Sequence, residues 1–158
     1  MIKIIPYENH HQSSFRQLNL EWLDKYHLTE SHDLMVLDDP KGTILDTGGY
    51  IWLATEDGII AGTAAIMNEG HDTYELAKMA VAPAFQGRGI SKLLIEICIA
   101  KAKEIGARKL LLYSNHQLVT ALKLYEKYGF RHVEVTGSPF ETADVKMELI
   151  FEQATINT

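Results

Sequence analysis

The chain has 158 residues, of which 46% are hydrophobic and 23% charged, and its formal net charge is −6. This length predicts one domain, over residues 1–158, with a single core. The acidic balance disfavours a nucleic-acid-binding surface, which needs clustered lysine and arginine. No apolar run approaches the ~20 residues that cross a bilayer, and the first residues lack the pattern of a secretory signal. The default expectation is therefore a cytoplasmic location with no membrane contact.

The charge is unevenly distributed along the chain. Residues 1–71 carry eleven acidic and four basic side chains, a net of −7, whereas residues 72–158 carry ten and eleven, a net of +1. The first part would favour a cationic partner and the second an anionic one, although an ordinary solvated surface gives the same asymmetry. The single cysteine, Cys98, lies among isoleucines in a helical stretch and is predicted to be buried filler rather than a nucleophile.

Hydrophobic periodicity predicts strands and helices in the order βααβββαβαββ. The predicted elements are a strand at 2–6, helices at 8–26 and 31–37, strands at 50–55, 59–67 and 72–81, a helix at 90–105, a strand at 109–113, a helix at 117–128, and strands at 130–135 and 143–150. Ser31 is the expected N-cap of the second helix, and residues 40–49 are expected to be irregular. The pair Asp57-Gly58 predicts a hairpin turn. The strand, helix and strand over 74–113 predict a right-handed parallel crossover, and hence a mixed sheet in an α/β fold.

The segment 84–91 is a glycine-rich turn between a predicted strand and a predicted helix. Gly87 and Gly89 permit a tight turn and close backbone approach to a ligand, and the helix start presents unpaired N–H groups and a positive dipole end. Such a place suits a pyrophosphate. The segment lacks the Gly-Lys-Ser/Thr end of a P-loop, and Lys92 stands where the third glycine of a dinucleotide fingerprint belongs. Taken alone, the glycines are also compatible with a simple strand-to-helix turn.

Three segments of the chain resemble the GNAT superfamily of acetyl-CoA-dependent N-acyltransferases. Gln86-Gly87-Arg88-Gly89-Ile90-Ser91 is similar to the family's pyrophosphate loop, Gln/Arg-x-x-Gly-x-Gly/Ala, and departs from it only in the serine at the end. Residues 121–130 are similar to Ala-x-x-x-Tyr-x-x-x-Gly-Phe, with Tyr125 as the tyrosine. The predicted strand at 74–81 carries Glu75 eleven residues before Gln86, where several members have a glutamate. The resemblance covers residues 50–150 strongly and the first helices more loosely.

The resemblance implies a set of cofactor contacts. The loop residues Gln86, Gly87, Arg88, Gly89, Ile90, Ser91 and Lys92 would bind the pyrophosphate of acetyl-CoA, the cosubstrate. The backbone of Met79, Ala80 and Val81 would run beside the pantetheine arm. Many members have an asparagine at the position of Leu118. Asn115 is the candidate substitute, and a residue capping the following helix is the alternative.

The same resemblance implies the catalytic residues. Tyr125 would protonate the departing thiolate; the alternative is a core aromatic that shares a helix face with Leu118 and Leu122. Glu75 would be the general base that deprotonates the amine; the alternative is a structural or substrate-orienting role. A backbone N–H near Met79 would polarise the thioester carbonyl.

Regular strand alternation divides the residues around Glu75 between two faces. One face is predicted to carry Glu75, Ala77, Met79 and Val81, and the other Leu76, Lys78 and Ala80. Lys78 has no place in the implied mechanism and is interpreted as part of a bent or exposed strand end.

The implied fold is a single α/β domain whose mixed, mostly antiparallel sheet is flanked by helices and splayed between the strands of Glu75 and Leu110. The implied activity is direct acetyl transfer to a primary amine, with a small molecule as the expected acceptor. Residues 8–40 and 136–143 would build the acceptor site. The acidic residues there, Glu30, Asp33 and Asp38, suggest a cationic amine.

Other functions stay open at this stage. A protein or peptide N-acetyltransferase would need an open groove, and a non-catalytic acyl-CoA-binding sensor would keep the loop without turnover. A homodimer also stays open. The seven histidines show no metal-ligand spacing, so no metal is predicted. His10, His11 and His32 could line an acceptor pocket or simply lie at the surface.

Overall fold

The computed structural model describes residues 1–151. The strands are β1 (Lys3–Pro6), β2 (Tyr50–Glu56), β3 (Ile59–Gly70), β4 (Thr73–Val81), β5 (Lys109–Ser114), β6 (Arg131–Val133) and β7 (Val145–Ile150), and the α-helices are α1 (Gln12–Lys25), α2 (Ser31–Asp38), α3 (Ile90–Glu104) and α4 (Val119–Lys127). The strands form one sheet in the order β1-β2-β3-β4-β5-β7-β6. Only the β4 and β5 pairing is parallel. The predicted α/β fold with a mixed, mostly antiparallel sheet and the predicted element order are confirmed.

The sheet opens between its two parallel strands. β4 pairs with β5 over three residues, Thr73 to Glu75, which face Lys109 to Leu111. β5 continues instead along β7, with which it pairs over all six of its residues. Beyond Glu75, therefore, β4 and β5 diverge, and the divergence leaves a cleft in the middle of the sheet. This is the splay that the sequence resemblance implied.

Apolar side chains pack on both faces of the sheet. On one face, α3 and α4 cover a cluster that includes Leu76, Val81 and Leu94. On the other face, α1 and α2 cover a cluster around Phe15, fully buried, and Leu37. Cys98 lies in the first cluster with no exposed surface, and burial raises the pKa of its thiol. The interpretation of this cysteine as buried filler agrees with its position.

A bulge in β4 breaks the predicted alternation of its side chains. Ala65 pairs with Ala77 and Thr63 pairs with Ala80, so both Lys78 and Met79 stand opposite the single residue Ala64. Lys78 is the extra residue and has φ of +52°. Because two residues of β4 stand opposite one residue of β3, each side chain after the bulge points to the face opposite the one that regular alternation predicts. Leu76 and Val81 consequently share the α3 face, and the predicted grouping of Glu75 with Met79 and Val81 is wrong.

Two local predictions in the first third of the chain are also wrong. The N-cap of α2 is Glu30, not Ser31; its carboxylate and that of Asp33 form a reciprocal capping box. Residues Lys41–Leu45 are not irregular but form a π-helical turn. The hairpin prediction is confirmed, because Asp57 and Gly58 adopt φ of +50° and +79° between β2 and β3. Within residues 1–151, no helix combines the length and the apolar character that a bilayer span requires.

Candidate active site

The glycine-rich turn leads directly into α3. Gly87 and Gly89 both have φ of +78°, and a Cβ on either would meet no other atom within 4 Å. Gly89 is the N-cap of α3 and offers no side chain to its first N–H groups. Backbone donors and the positive end of the helix dipole therefore face open space, which is the arrangement that binds phosphate groups.

The turn lies at the mouth of a cleft of about 610 Å³, here called the cofactor cleft. Ten of the residues predicted to bind the cofactor line it: Met79, Ala80, Val81, Gln86, Gly87, Gly89, Ile90, Ser91, Lys92 and Tyr125. The opposite wall comes from α4 and from two aromatic residues of α1 and its end, Trp22 and Tyr26. Sequence reasoning missed these two residues, because their pattern on α1 is that of an ordinary core-facing helix.

Arg88 is turned away from the cofactor cleft. Its guanidinium forms an ion pair with Glu56 at the end of β2, with an N to O distance of 2.6 Å, and lies over the ring of Phe85. The hydrogen bond from Arg88 holds the pKa of Glu56 below its usual value. Arg88 thus connects the glycine turn to the β2–β3 hairpin. Its side chain does not line the cofactor cleft.

Tyr125 stands where the cofactor cleft meets a second, smaller cavity. It lines both, and its hydroxyl lies 3.9 Å from the sulfur of Met79. Burial, and to a smaller extent the nearby Cys98, raises the pKa of the phenol to about 12. The hydroxyl consequently stays protonated at neutral pH and can donate a hydrogen bond.

The second cavity has a volume of about 120 Å³ and is here called the acceptor cavity. It is lined by Asn19, Trp22, Leu23 and Leu28 from α1 and the segment after it, Asp33 from α2, residues 75–79 from β4, residues 112–115 and 118, Tyr125, Phe140, Thr142 and Ala143. Polar and charged groups converge here inside a mainly apolar wall. Four residues line both cavities: Trp22, Met79, Leu118 and Tyr125. A group reaching down the cofactor cleft would therefore meet one in the acceptor cavity beside them.

Glu75 is buried in the acceptor cavity with 6% of its surface exposed. Burial raises the pKa of its carboxyl to about 8, and the carboxylate of Glu69 adds to the rise by charge and by hydrogen bonding. Among the other charges, Lys78 lowers this pKa and Asp33 raises it. A carboxyl with a pKa near neutrality exchanges protons readily at working pH, which is the property of a general base.

Asn115 belongs to the acceptor cavity rather than to the cofactor cleft. Its amide nitrogen donates to the carbonyl of Thr142 at 2.8 Å, and its amide oxygen accepts from the backbone N–H of Gln117 at 3.0 Å. The side chain is engaged in the turn before α4, but the N-cap of that helix is Leu118, so Asn115 is not the capping residue of the alternative interpretation. The structure does not bring Asn115 among the cofactor-cleft residues where it was predicted.

A loop between β6 and β7 forms the roof of the acceptor cavity. Glu30 accepts hydrogen bonds from the backbone N–H groups of Glu141 and Thr142, at 2.8 and 3.0 Å, and from the Thr142 hydroxyl. Partial burial acts to raise the pKa of Glu30, but these hydrogen bonds leave it below the ordinary value. Phe140 of the same loop lies over the ammonium of Lys78. The roof is therefore fastened to the start of α2 by specific polar contacts.

The three acidic residues predicted to attract a cationic acceptor are bonded within the protein. Glu30 holds the roof, Asp33 pairs with Lys78, and Asp38 pairs with Arg16 at 2.8 Å on an exposed surface. The preference for a cationic amine consequently finds no support in these residues. Lys78 was interpreted as part of a bent or exposed strand end. The strand is indeed irregular there, but the Lys78 side chain is only 5% exposed.

The histidines singled out in the sequence lie outside the lining of both cavities. His32 packs edge-on against Phe140, with ring centroids 5.0 Å apart. The potential ligand atoms of Glu8, His10 and His11 lie within 4.8 Å of one another at the start of α1. The Nδ1 atom of His11 already accepts the N–H of Glu8, and partial burial followed by the neighbouring His10 lowers the pKa of His11.

Comparison with known proteins agrees with this geometry. The acetyltransferase (GNAT) domain family matches residues 47–132, more than half of the chain. The chain belongs to the GNAT acetyltransferase superfamily. The matched residues extend from just before β2 through α4 into β6, and they include the glycine turn, Glu75 and Tyr125. The protein is an N-acetyltransferase.

The relatives with curated names differ in what they acetylate. An uncharacterized N-acetyltransferase of Bacillus subtilis, YvbK, is 31% identical over 65% of this chain and 68% of its own. The ribosomal protein bS18-alanine N-acetyltransferase of Haemophilus ducreyi is 31% identical over 68% of this chain and 76% of its own. The N-acetylaspartate synthetase of Rattus norvegicus is 37% identical over 54% of this chain, but that match spans only 29% of the rat protein. Similarity leaves the acceptor of this GNAT enzyme undetermined.

Solved structures share the fold across nearly the whole chain. A GNAT acetyltransferase from Staphylococcus aureus superposes with a TM-score of 0.88, at 20% identity over 96% of this chain and 100% of that one. The PaiA N-acetyltransferase of Thermoplasma acidophilum, solved in complex with coenzyme A, has a TM-score of 0.75 at 18% identity over 96% and 99%. The splayed sheet is thus the GNAT fold.

Proposed function

We propose that this GNAT enzyme transfers the acetyl group of acetyl-CoA directly to the primary amine of a small molecule. The observation that carries the proposal is the meeting of the two cavities at Met79 and Tyr125, with the glycine turn at the far end of one and Glu75 buried in the other. A thioester anchored by its pyrophosphate would reach this junction. An amine in the acceptor cavity would reach it from the other side.

The cofactor cleft suits coenzyme A in its shape and donors. The pyrophosphate would bind the free N–H groups at the start of α3, where Gly87 and Gly89 leave room for close approach. Lys92 and the hydroxyl of Ser91 line the same place and would add charge and a hydrogen bond. The pantetheine arm would follow the backbone from Val81 to Met79 along the open edge of β4, as an added strand does.

The chemistry that we propose needs one base and one acid. Glu75, with its pKa near 8, takes the proton from the attacking amine, directly or through a water molecule. A carbon–nitrogen bond forms, the carbon–sulfur bond breaks, and a backbone N–H near Met79 stabilises the oxygen of the thioester carbonyl. The Tyr125 hydroxyl donates to the departing sulfur. Burial raises the pKa of a thiol as well as that of the phenol, so the two shifts have opposite effects on this proton transfer.

The small volume of the acceptor cavity and the fixed loop beside it support a small acceptor over a peptide. The cavity holds about 120 Å³, and the roof loop is fastened across it by Glu30 and Asn115. A peptide substrate would need this roof to open. Glu75, buried in the acceptor cavity, and Tyr125, partly buried at the junction, likewise favour turnover over a non-catalytic sensor, which would need neither group.

A thiol-release assay with acetyl-CoA tests the proposal against both alternatives. The acceptor panel contains small primary amines, amino acids and aminoglycosides in one arm and peptides with free N-termini or lysines in the other. We expect release of coenzyme A with one small-amine class and none above background with peptides. Turnover of peptides alone would assign a protein-modifying enzyme. Tight acetyl-CoA binding by calorimetry without turnover of any acceptor would assign a sensor.

A further inference from the structure

Lys78 adopts a backbone conformation that a lysine rarely accepts. Its φ of +52° lies in the left-handed region, which is unfavourable for a residue that carries a side chain. Glycine or asparagine is the usual choice at such a place. The surrounding structure must therefore hold residue 78 in this conformation, and its contacts indicate how.

Both ends of Lys78 are fixed by buried partners from other elements. The ammonium nitrogen lies 2.6 Å from Oδ1 of Asp33 in α2, and the two side chains are only 5% and 3% exposed. The other carboxylate oxygen of Asp33 accepts the backbone N–H of Glu30. At the backbone end, the Thr63 hydroxyl donates to the carbonyl of Lys78 at 2.8 Å, and Asn19 of α1 donates to the same hydroxyl.

Lys78 directly precedes the junction of the cofactor cleft and the acceptor cavity. Lys78 is the extra residue of the β4 bulge, and the next residue, Met79, lines both cavities. A left-handed residue rotates the peptide that follows it away from the regular ladder. The orientation of the Met79 N–H consequently depends on the conformation of residue 78.

We propose that the buried Asp33–Lys78 ion pair is a positioning device, which holds residue 78 in the left-handed bulge and thereby aims the backbone N–H of Met79 at the thioester carbonyl. This inference rests on the proposed function, because it supposes that acetyl-CoA occupies the cofactor cleft. Lys78 lines the acceptor cavity, but the effect proposed here does not come from contact with a substrate. Lys78 acts through the backbone of its neighbour.

Two double variants separate the conformation of residue 78 from its side chain. In K78M/D33N the ion pair is lost, and no contact of the methionine side chain offsets the unfavourable positive φ. The bulge therefore relaxes. In K78G/D33N the ion pair is also lost, but glycine accepts positive φ without cost and the bulge persists. Removing both charges avoids leaving one buried and unpaired. The single variants K78M and K78G repeat the comparison with Asp33 intact, so the test does not depend on one protein folding.

The readout is the carbonyl stretching frequency of bound acetyl-CoA labelled with carbon-13 at the thioester, measured together with turnover. We expect a lowered frequency in the wild type and in K78G/D33N, and a return toward the solution value in K78M/D33N. Turnover should fall at least tenfold in K78M/D33N and less than threefold in K78G/D33N, with coenzyme A affinity unchanged in both. The variant K41M/D46N, which removes an exposed lysine–aspartate pair, is the matched control and should behave as wild type.

Equal loss in the glycine and methionine variants would overturn the proposal, because it would show that the lysine side chain itself is needed. Unchanged carbonyl frequency and turnover in both would overturn it as well. The infrared measurement requires no acceptor. A wild type that binds acetyl-CoA with a shifted carbonyl but acetylates no amine would therefore contradict the proposed function and leave the positioning role supported.

Discussion

The cofactor cleft and the acceptor cavity share four lining residues but are built in different ways. The cofactor cleft is lined mostly by two continuous segments, residues 79–92 and 118–127, and presents backbone groups of a turn and a helix start. The acceptor cavity depends on side-chain contacts between distant parts of the chain: Lys78 with Asp33, and Glu30 with Thr142. A site made from the backbone groups of neighbouring residues suits a chemical group that all substrates have in common. A site made from long-range side-chain contacts can differ from one GNAT enzyme to the next.

The first and largest predicted effect concerns the acceptor side. Because the pKa of Glu75 is near 8, wild-type turnover should rise with pH through about 8 and level off above it. In E75Q this rise should vanish, and turnover at pH 9 should fall roughly 100- to 1000-fold. A pH–rate profile with saturating substrates measures both. E104Q, an exposed glutamate of α3, is the control. A normal profile in E75Q would assign deprotonation elsewhere.

The raised pKa of Glu75 should also make the Tm of the protein depend on pH, and this effect can be measured without an activity assay. The pKa of this carboxyl is raised in the folded state, so the folded protein binds its proton more tightly than the unfolded chain does. The contribution of Glu75 to stability is therefore complete below about pH 4, near the unfolded pKa, and is lost as pH rises through 8. We expect the Tm of the wild type to fall relative to that of E75Q between pH 5 and pH 8. Parallel Tm curves would contradict the raised pKa.

The second effect concerns the junction of the two cavities. Y125F should lower turnover about 100-fold, because the departing sulfur loses its donor, while acetyl-CoA affinity changes less than threefold. Steady-state kinetics and calorimetry together measure this split. Y128F is the matched control, since Tyr128 adjoins the same helix but bonds Glu96 outside both cavities. Equal turnover in Y125F and wild type would remove this tyrosine from the chemistry.

The third effect is confined to the cofactor cleft. G89A should weaken coenzyme A binding roughly tenfold, because alanine at φ of +78° strains the start of α3 by about 1 kcal/mol or more and turns its N–H groups. Calorimetry with coenzyme A measures the loss. G58A is a close control: Gly58 has φ of +79° and equally open surroundings, but lies in the β2–β3 hairpin. Both variants should lose similar Tm, and only G89A should lose affinity.

The smallest effect tests the neighbour of Glu75. Glu69 raises the pKa of Glu75 by its charge and its hydrogen bond, so E69Q should move the pH–rate midpoint to lower pH. Turnover at pH 7 should rise a few-fold, since a larger fraction of Glu75 is deprotonated there. A pH–rate profile measured at low ionic strength checks the direction. A midpoint that stays in place or moves upward would show that the two carboxyls do not interact.

The sequence predicted the features that depend on local residues. Asp57-Gly58 encodes its turn, and Gly87 and Gly89 encode the phosphate-binding geometry, because positive φ favours glycine wherever it occurs. The bulge at Lys78 could not be predicted, because a lysine carries no signal for a left-handed conformation that distant partners impose. The ion pair of Arg88 with Glu56 could not be predicted for a similar reason, because only the fold brings these two segments together.

The bond between Glu30 and the roof loop also bears on the order in which the molecule assembles. It joins Glu30 to Glu141 and Thr142, which lie 111 and 112 positions further along the chain. The glycine turn and α3, in contrast, form from residues that are neighbours in the sequence. Contacts that close long loops carry the larger entropic cost and tend to form late in folding and to break first on local opening. A chain could thus have a formed cofactor cleft before its acceptor cavity is complete.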